Sequence, residues 1–204
     1  MSTATNNKTQ HILLVDDDRL VLAMLATSVA KAGYTVSSAK SAEEADELLA
    51  GGCRPDLVLL DVRMPGQSGL YLAQRLRELD HIPFLMLSAY SDEKTVKEAL
   101  ALGALAFYAK PLEDAQLLLA IEAALARGEE LHDLRTHRQQ LQQALDNERH
   151  VNVAVGITMV QYRLKRKDAF DQLRAAARNR NVKLADLALE VLQSCEVIAD
   201  GSIR

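Results

Sequence analysis

Short unbroken apolar runs alternate with segments of helical period through the first part of the chain. Residues 11–15 (HILLV) stop abruptly at three aspartates, and similar runs recur at 34–39, 57–60, 84–87 and 106–108. Five such runs without polar alternation predict strands buried on both faces of a parallel sheet. Between them, Leu20, Met24, Leu25 and Val29 form one predicted apolar stripe, with Asp18 as the N-cap of a helix beginning near Arg19. Ser41 followed by Glu44 is a capping box opening a helix through Leu48 and Leu49. Further helices are predicted from Ser68 or Gly69 to Leu79, from Asp92 to Leu102, and after Pro111. Five βα units in about 120 residues predict an α/β fold, an open doubly wound parallel sheet.

The pattern then changes. No proline follows Pro111, Gly128 is the only glycine between 104 and 155, and residues 113–164 are mostly good helix formers. Leu131, Leu134, Leu141 and Leu145 fit a heptad seam, which Arg127, Arg138, Glu148 and Asn152 interrupt. The seam spans about two heptads and predicts a coiled-coil-like linker helix joining two copies of the chain, with Gly128 as a kink. Two short helices, at 168–178 and from Leu184 to Cys195, follow across an Asn179-Arg180-Asn181 turn. Their predicted shared core is Ile157, Val160, Leu164, Phe170, Leu173, Leu187 and Val191. The organisation expected is a disordered start at 1–10, a sheet domain at 11–127, a linker helix at 128–150, a three-helix output domain at 151–196 and a tail at 197–204.

Composition narrows the classes. With 49% hydrophobic and 25% charged residues, the 204-residue chain has an ordinary globular balance. No apolar run reaches membrane-spanning length, and the polar start MSTATNNKTQ lacks a secretory apolar stretch, so a cytoplasmic location is expected. Cys53 and Cys195 are too few for a disulfide framework or zinc site and read as ordinary thiols. The net charge of −4 conceals an asymmetry: between Arg149 and Lys183 stand nine basic side chains against two acidic ones. That stretch points to a polyanionic partner.

Ligands of doubly wound sheets bind beyond the carboxyl ends of the strands. Asp16 and Asp17 end the first predicted strand, Asp61 the third and Ser88 the fourth, while Lys110-Pro111 follows the fifth. Clustered carboxylates need a compensating cation, and a few oxygen ligands with room for water favour Mg²⁺. A lysine and a hydroxyl beside them can hold a phosphoryl group, with one carboxylate as its acceptor.

The motifs VDDD at 15–18, LLDVRMPGQSG at 59–69, LSAY at 87–90 and AFYAKP at 106–111 closely resemble those of bacterial receiver domains. This resemblance implies that Asp61 accepts the phosphoryl group from a sensor histidine kinase. It further implies that Asp17, Asp61 and the Arg63 backbone carbonyl ligate Mg²⁺, with Asp16 acting through water. Lys110 would pair with the phosphoryl group, and Ser88 and Phe107 would move inward as switch residues. Arg63 and Tyr90 would flank the path of an attacking water, Tyr90 slowing hydrolysis. Such a chain is a phosphoacceptor acting on itself, not a turnover enzyme.

Toward the end of the chain, AVGITM at 154–159, DAFDQLR at 168–174 and LADLA at 184–188 resemble the ANTAR output domain. This resemblance implies dimeric binding to stem-loops in nascent mRNA and transcription antitermination. Ala154 and Gly156 would allow close approach of RNA or another helix, and Arg163, Lys165, Arg174, Arg178 and Lys183 would supply RNA contacts. Val155 departs from the family, which usually has a basic residue there. The competing expectations are a DNA-binding transcription factor and a module acting only through protein contacts. Against DNA, the helix beginning at Leu184 carries Asp186, Glu190 and Glu196 but no Lys or Arg.

Overall fold

A computed structural model describes residues 9–89 and 92–199. Expected features at 1–8, at Tyr90 and at 200–204 lie outside the described residues, as does the side chain of Cys195. The chain divides after His132 into two compact units.

In the first unit, strands β1 (His11–Val15), β2 (Thr35–Ala39), β3 (Leu57–Asp61), β4 (Phe84–Ser88) and β5 (Phe107–Ala109) form one parallel sheet of order β2-β1-β3-β4-β5. Helices α1 (Arg19–Lys31), α2 (Ala42–Ala50), α3 (Gly69–Arg75) and α4 (Glu93–Ala101) connect them, and α5 (Asp114–Tyr162) follows β5. Residues of β1, β3 and β4 alternate between two cores. Leu13, Val15, Val58, Leu60, Phe84 and Met86 pack on one side with residues of α2, α3 and α4. Ile12, Leu14, Leu57, Leu59, Leu85 and Leu87 pack on the other with α1 and Leu117, Ile121 and Leu125 of α5. Burial on both faces is the physical reason these strands read as continuous apolar runs.

The caps form largely as the sequence predicts. Asp18 accepts from the backbone N–H groups of Leu20 and Val21. Ser41 accepts from Glu44 N–H, while the Glu44 carboxylate reaches back to Lys40 N–H at 2.8 Å. Two details differ. The helix expected to reach Leu79 is α-helical only to Arg75 and closes in a π-helical turn, Leu76–Asp80. The expected stripe on α1 is also rotated: Leu20 and Met24 are exposed, and Leu22, Leu25, Ala26 and Val29 face the core. Both sets have helical spacing, and contact with the sheet selects the second.

Helix α5 is continuous through Gly128. That glycine packs closely on the sheet domain, since a Cβ would stand 2.8 Å from Pro83 Cγ. At the start of α5, the Ser28 hydroxyl donates to Asp114 at 2.8 Å.

The second unit contains the rest of α5, α6 (Arg166–Asn179) and α7 (Leu184–Ala199), the last ending three residues beyond the expected domain end. Its core is Ala154, Val155, Ala169, Leu173, Ala177, Leu187 and Ala188, with Val151, Met159, Leu164, Val191 and Leu192 partly buried around it. Three expected core residues lie outside it: Val160 is 81% exposed, Phe170 is 37% exposed, and Ile157 is half-buried without joining this cluster. Alanines at the helix contacts leave little room for bulky side chains between α6 and its neighbours. The inward face of α5 therefore runs through Ala154, Val155 and Thr158, whose hydroxyl donates to the Ala154 carbonyl at 2.8 Å. Leu134, Leu141 and Leu145 are exposed.

Candidate phosphoacceptor site and basic output surface

The order of the sheet places β1 beside both β2 and β3, so the chain switches direction of growth at the β1–β3 boundary. A crevice opens there at the carboxyl ends of the strands. Asp16, Asp17, Asp61, Arg63, Ser88 and Lys110 all line one cavity of about 560 Å³. Asp16 and Ser88 are buried, and Asp61 is only 7% exposed.

The backbone around Asp61 is fixed from behind. The Gly69 N–H donates to the Val62 carbonyl at 3.0 Å, and a Cβ at Gly69 would stand 1.9 Å from the Asp61 carbonyl oxygen. Glu43 accepts from Gln67 N–H at 3.0 Å and thereby ties α2 to the loop leaving β3. This hydrogen bond, helped by Ser41, holds the Glu43 carboxyl below the usual carboxylate range.

Lys110 donates to Asp16 and lies 3.1 Å from Asp61 Oδ1, bridging two carboxylates that would otherwise repel. Burial pushes the Asp61 carboxyl above its ordinary range, against the pull of the Lys110 ammonium; the nearby Asp16 adds to the rise. One carboxylate oxygen from each of Asp16, Asp17 and Asp61 lies within 4.8 Å of the others. An all-oxygen donor set of this size, partly open to the cavity, fits a hard divalent cation such as Mg²⁺.

Two features of the rim were not foreseen. The Arg63 side chain lies 3.8 Å from Asp92, which caps α4 by accepting from Thr95 N–H at 3.0 Å. Met24, displaced from the core, lies along the same cavity. Phe107 does not line this cavity and packs, half-buried, against the core on the α4 side. The sequence carried no signal for the Arg63–Asp92 pair, because loop conformation brings those residues together.

In the second unit, Arg163, Lys165, Lys167, Arg174, Arg178 and Lys183 are exposed and make no ion pair among the described residues. Arg180 is engaged with Glu190 through contacts of 2.7 and 3.2 Å, and Arg166 donates to Asn152 at 2.9 Å. Arg163 and Asn181 both adopt left-handed backbone conformations, at the turns flanking α6. Ala154 is fully buried in the core shared with α6 and α7, so of the two approaches expected of it the structure shows that of another helix and not that of RNA. Gly156 is exposed, and apart from its own helix turn no described atom lies within 4 Å of where its Cβ would be. Val155 is buried, so an aliphatic side chain suits its position.

Among the described residues, no helix is long and apolar enough to cross a membrane. The response regulator receiver domain profile matches residues 12–122, and the ANTAR domain profile matches residues 139–192. The chain is 31% identical over 186 residues to the transcriptional regulatory protein PdtaR of Mycobacterium tuberculosis, covering 91% of this chain and 90% of that protein. A CheY-like receiver domain protein from Methanospirillum hungatei superposes with a TM-score of 0.57 at 26% identity, covering 60% of this chain and 98% of that one. Chemotaxis protein CheY4 of Vibrio cholerae gives a TM-score of 0.53 at 28% identity over 57% of this chain and 99% of that one. The chain belongs to the response regulators that join an N-terminal receiver domain to a C-terminal ANTAR domain.

Proposed function

We propose that a sensor histidine kinase phosphorylates Asp61 and that the phosphorylated chain controls transcription by binding RNA stem-loops as an antiterminator. The observation that carries the first half is the pairing of a nearly buried Asp61 with Lys110 at a strand end, beside Asp16 and Asp17. In transfer, an Asp61 carboxylate oxygen forms a bond to phosphorus while the bond from phosphorus to the kinase imidazole nitrogen breaks. Lys110 turns from Asp61 toward the new phosphoryl oxygens, and the Ser88 hydroxyl donates to one of them. Asp16, Asp17, Asp61 and the Arg63 carbonyl would hold Mg²⁺, which supplies charge neutralisation at the phosphoryl oxygens. Ser88 and Phe107 are the proposed switch residues, and self-dephosphorylation is the only further chemistry expected of this cytoplasmic phosphoacceptor.

The unpaired basic side chains of the output unit support a polyanionic target. The absence of Lys and Arg from α7 speaks against a DNA recognition helix. Arg163, Lys165, Arg174, Arg178 and Lys183 are the proposed phosphate contacts, and the open space above Gly156 admits close approach of RNA. The exposed Leu134, Leu141 and Leu145 support a homodimer through α5.

The test measures binding, with and without beryllofluoride and Mg²⁺, to a two-hairpin leader RNA and to a DNA duplex of equal length. RNA-selective, salt-sensitive binding that strengthens on activation, with the activation lost in Asp61→Ala, is expected. Binding to neither nucleic acid would leave protein partners as the output, and preference for the duplex would make the chain a DNA-binding regulator.

A further inference from the structure

Phe170 presents part of an aromatic ring at the surface of the second unit. It is 37% exposed and is absent from the residues buried in, or packed against, the core of the second unit. The neighbouring inward positions on α6 are filled by Ala169, Leu173 and Ala177. On a helix, residues three and four apart are surface neighbours. Lys167 therefore flanks Phe170 on one side and Arg174 on the other. Both cations are exposed and lack an ion-pair partner among the described residues. Arg178 extends the same side of α6 by one further turn, while Asp171 is the acid that interrupts it. Tyr162 is also exposed, but its preceding helical neighbours are the uncharged Thr158 and Met159.

We propose that Phe170 is a stacking platform for one unpaired base of the bound RNA, with Lys167 and Arg174 holding the phosphates on either side of it. This rests on the RNA-binding reading above and specifies its ligand as a single-stranded loop rather than a paired stem. A ring between two exposed cations suits this ligand, because every base offers a π-face and its flanking phosphates are anionic. A paired stem keeps its bases stacked on each other and offers the ring nothing comparable.

The experiment uses the full chain activated with beryllofluoride and Mg²⁺. Its probes are a stem-loop RNA with an unpaired, purine-containing loop, a blunt duplex RNA of equal length, and stem-loops carrying one abasic nucleotide at each loop position in turn. Phe170→Leu is expected to weaken stem-loop binding roughly 10- to 100-fold with its salt dependence unchanged, whereas Phe170→Tyr retains affinity. Lys167→Ala is expected to lower the slope of log K against log salt by roughly 0.7–0.9. One abasic position should cost wild-type protein a similar factor yet cost Phe170→Leu nothing more, the signature of two changes removing one contact. Equal affinity of Phe170→Leu and wild type, or no abasic position that weakens wild-type binding, overturns the platform and leaves RNA binding standing. Failure of activated wild-type protein to bind the stem-loop at all overturns the RNA reading itself. The abasic scan needs no variant, so it decides the matter even where a substitution perturbs folding.

Discussion

A methyl group on Gly69 would stand 1.9 Å from the carbonyl oxygen of Asp61, so the first residue of α3 and the last of β3 touch through a missing side chain. Any larger residue must push α3 away from the sheet or displace the strand end. Gly69→Ala is expected to lose about 1–3 kcal/mol of stability, as overpacked sites do. Its phosphorylation from a small-molecule donor such as acetyl phosphate should also slow, because the Asp61 carboxylate shifts relative to Lys110. Urea unfolding with a phosphorylation time course checks both.

The elevated Asp61 carboxyl sets a direction for pH dependence. The folded state holds this proton more tightly than the unfolded chain, so its contribution to stability falls as pH rises through the window between the two values. In EDTA at neutral pH, Asp61→Asn should therefore have a higher Tm than wild type, and the gap should close once the buffer is more acidic than the ordinary carboxylate range. Mg²⁺ at 100 times its Kd should raise wild-type stability by about 2.7 kcal/mol. It should raise that of Asp61→Asn far less. Thermal melts with and without metal across the acidic range read out both effects.

The Arg63–Asp92 pair and the Asp92 cap separate cleanly. Asp92→Ala removes the acceptor for Thr95 N–H and should cost about 0.5–2 kcal/mol. Arg63→Ala removes one exposed ion pair at 3.8 Å and should cost no more than about 1 kcal/mol. A double-mutant cycle by chemical denaturation measures their coupling, which should be small.

Much of this was legible in the residues, for identifiable reasons. Strands such as Leu57–Asp61 are buried on both faces, leaving unbroken apolar runs that end where the chain leaves the core. The site sits at those ends, so Asp16, Asp61, Ser88 and Lys110 could be found by position alone. Helix orientation was harder. A shift of one residue turns a helical face by about 100°. Leu20 and Met24 on α1, and Val160 on α5, each had the spacing of a core stripe, yet the adjacent stripe packs inward. Nothing in the sequence singles out Glu43, because its bond to Gln67 depends on how α2 meets a distant loop.

Leu134, Leu141 and Leu145 are exposed and contribute to no core among the described residues. Leu141→Lys should therefore leave the circular dichroism and melting of the monomeric fold unchanged while shifting sedimentation equilibrium toward monomer. A variant that sediments like wild type would remove this face from the proposed dimer.

Val155 tests the departure from the usual family residue. It is buried among Ala169, Leu173 and Leu187, and Val155→Lys should cost the output unit about 1–3 kcal/mol for desolvating an ammonium, less whatever the side chain recovers by reaching solvent. Its RNA affinity should not improve. A tighter complex from a stable Val155→Lys protein would show that the position faces the ligand.

The Lys110 bridge has a consequence for which ions the receiver accepts. Three carboxylates bring three negative charges and Lys110 returns one positive, so two remain uncompensated in a crevice where Asp16 and Asp61 are buried and only Asp17 is exposed. A dication closes that balance in a single binding event, a monovalent ion leaves it half open, and a trivalent ion overshoots it. The lysine thus makes the crevice discriminate by valence before it discriminates by size, and sodium or potassium at cellular abundance should compete poorly for it.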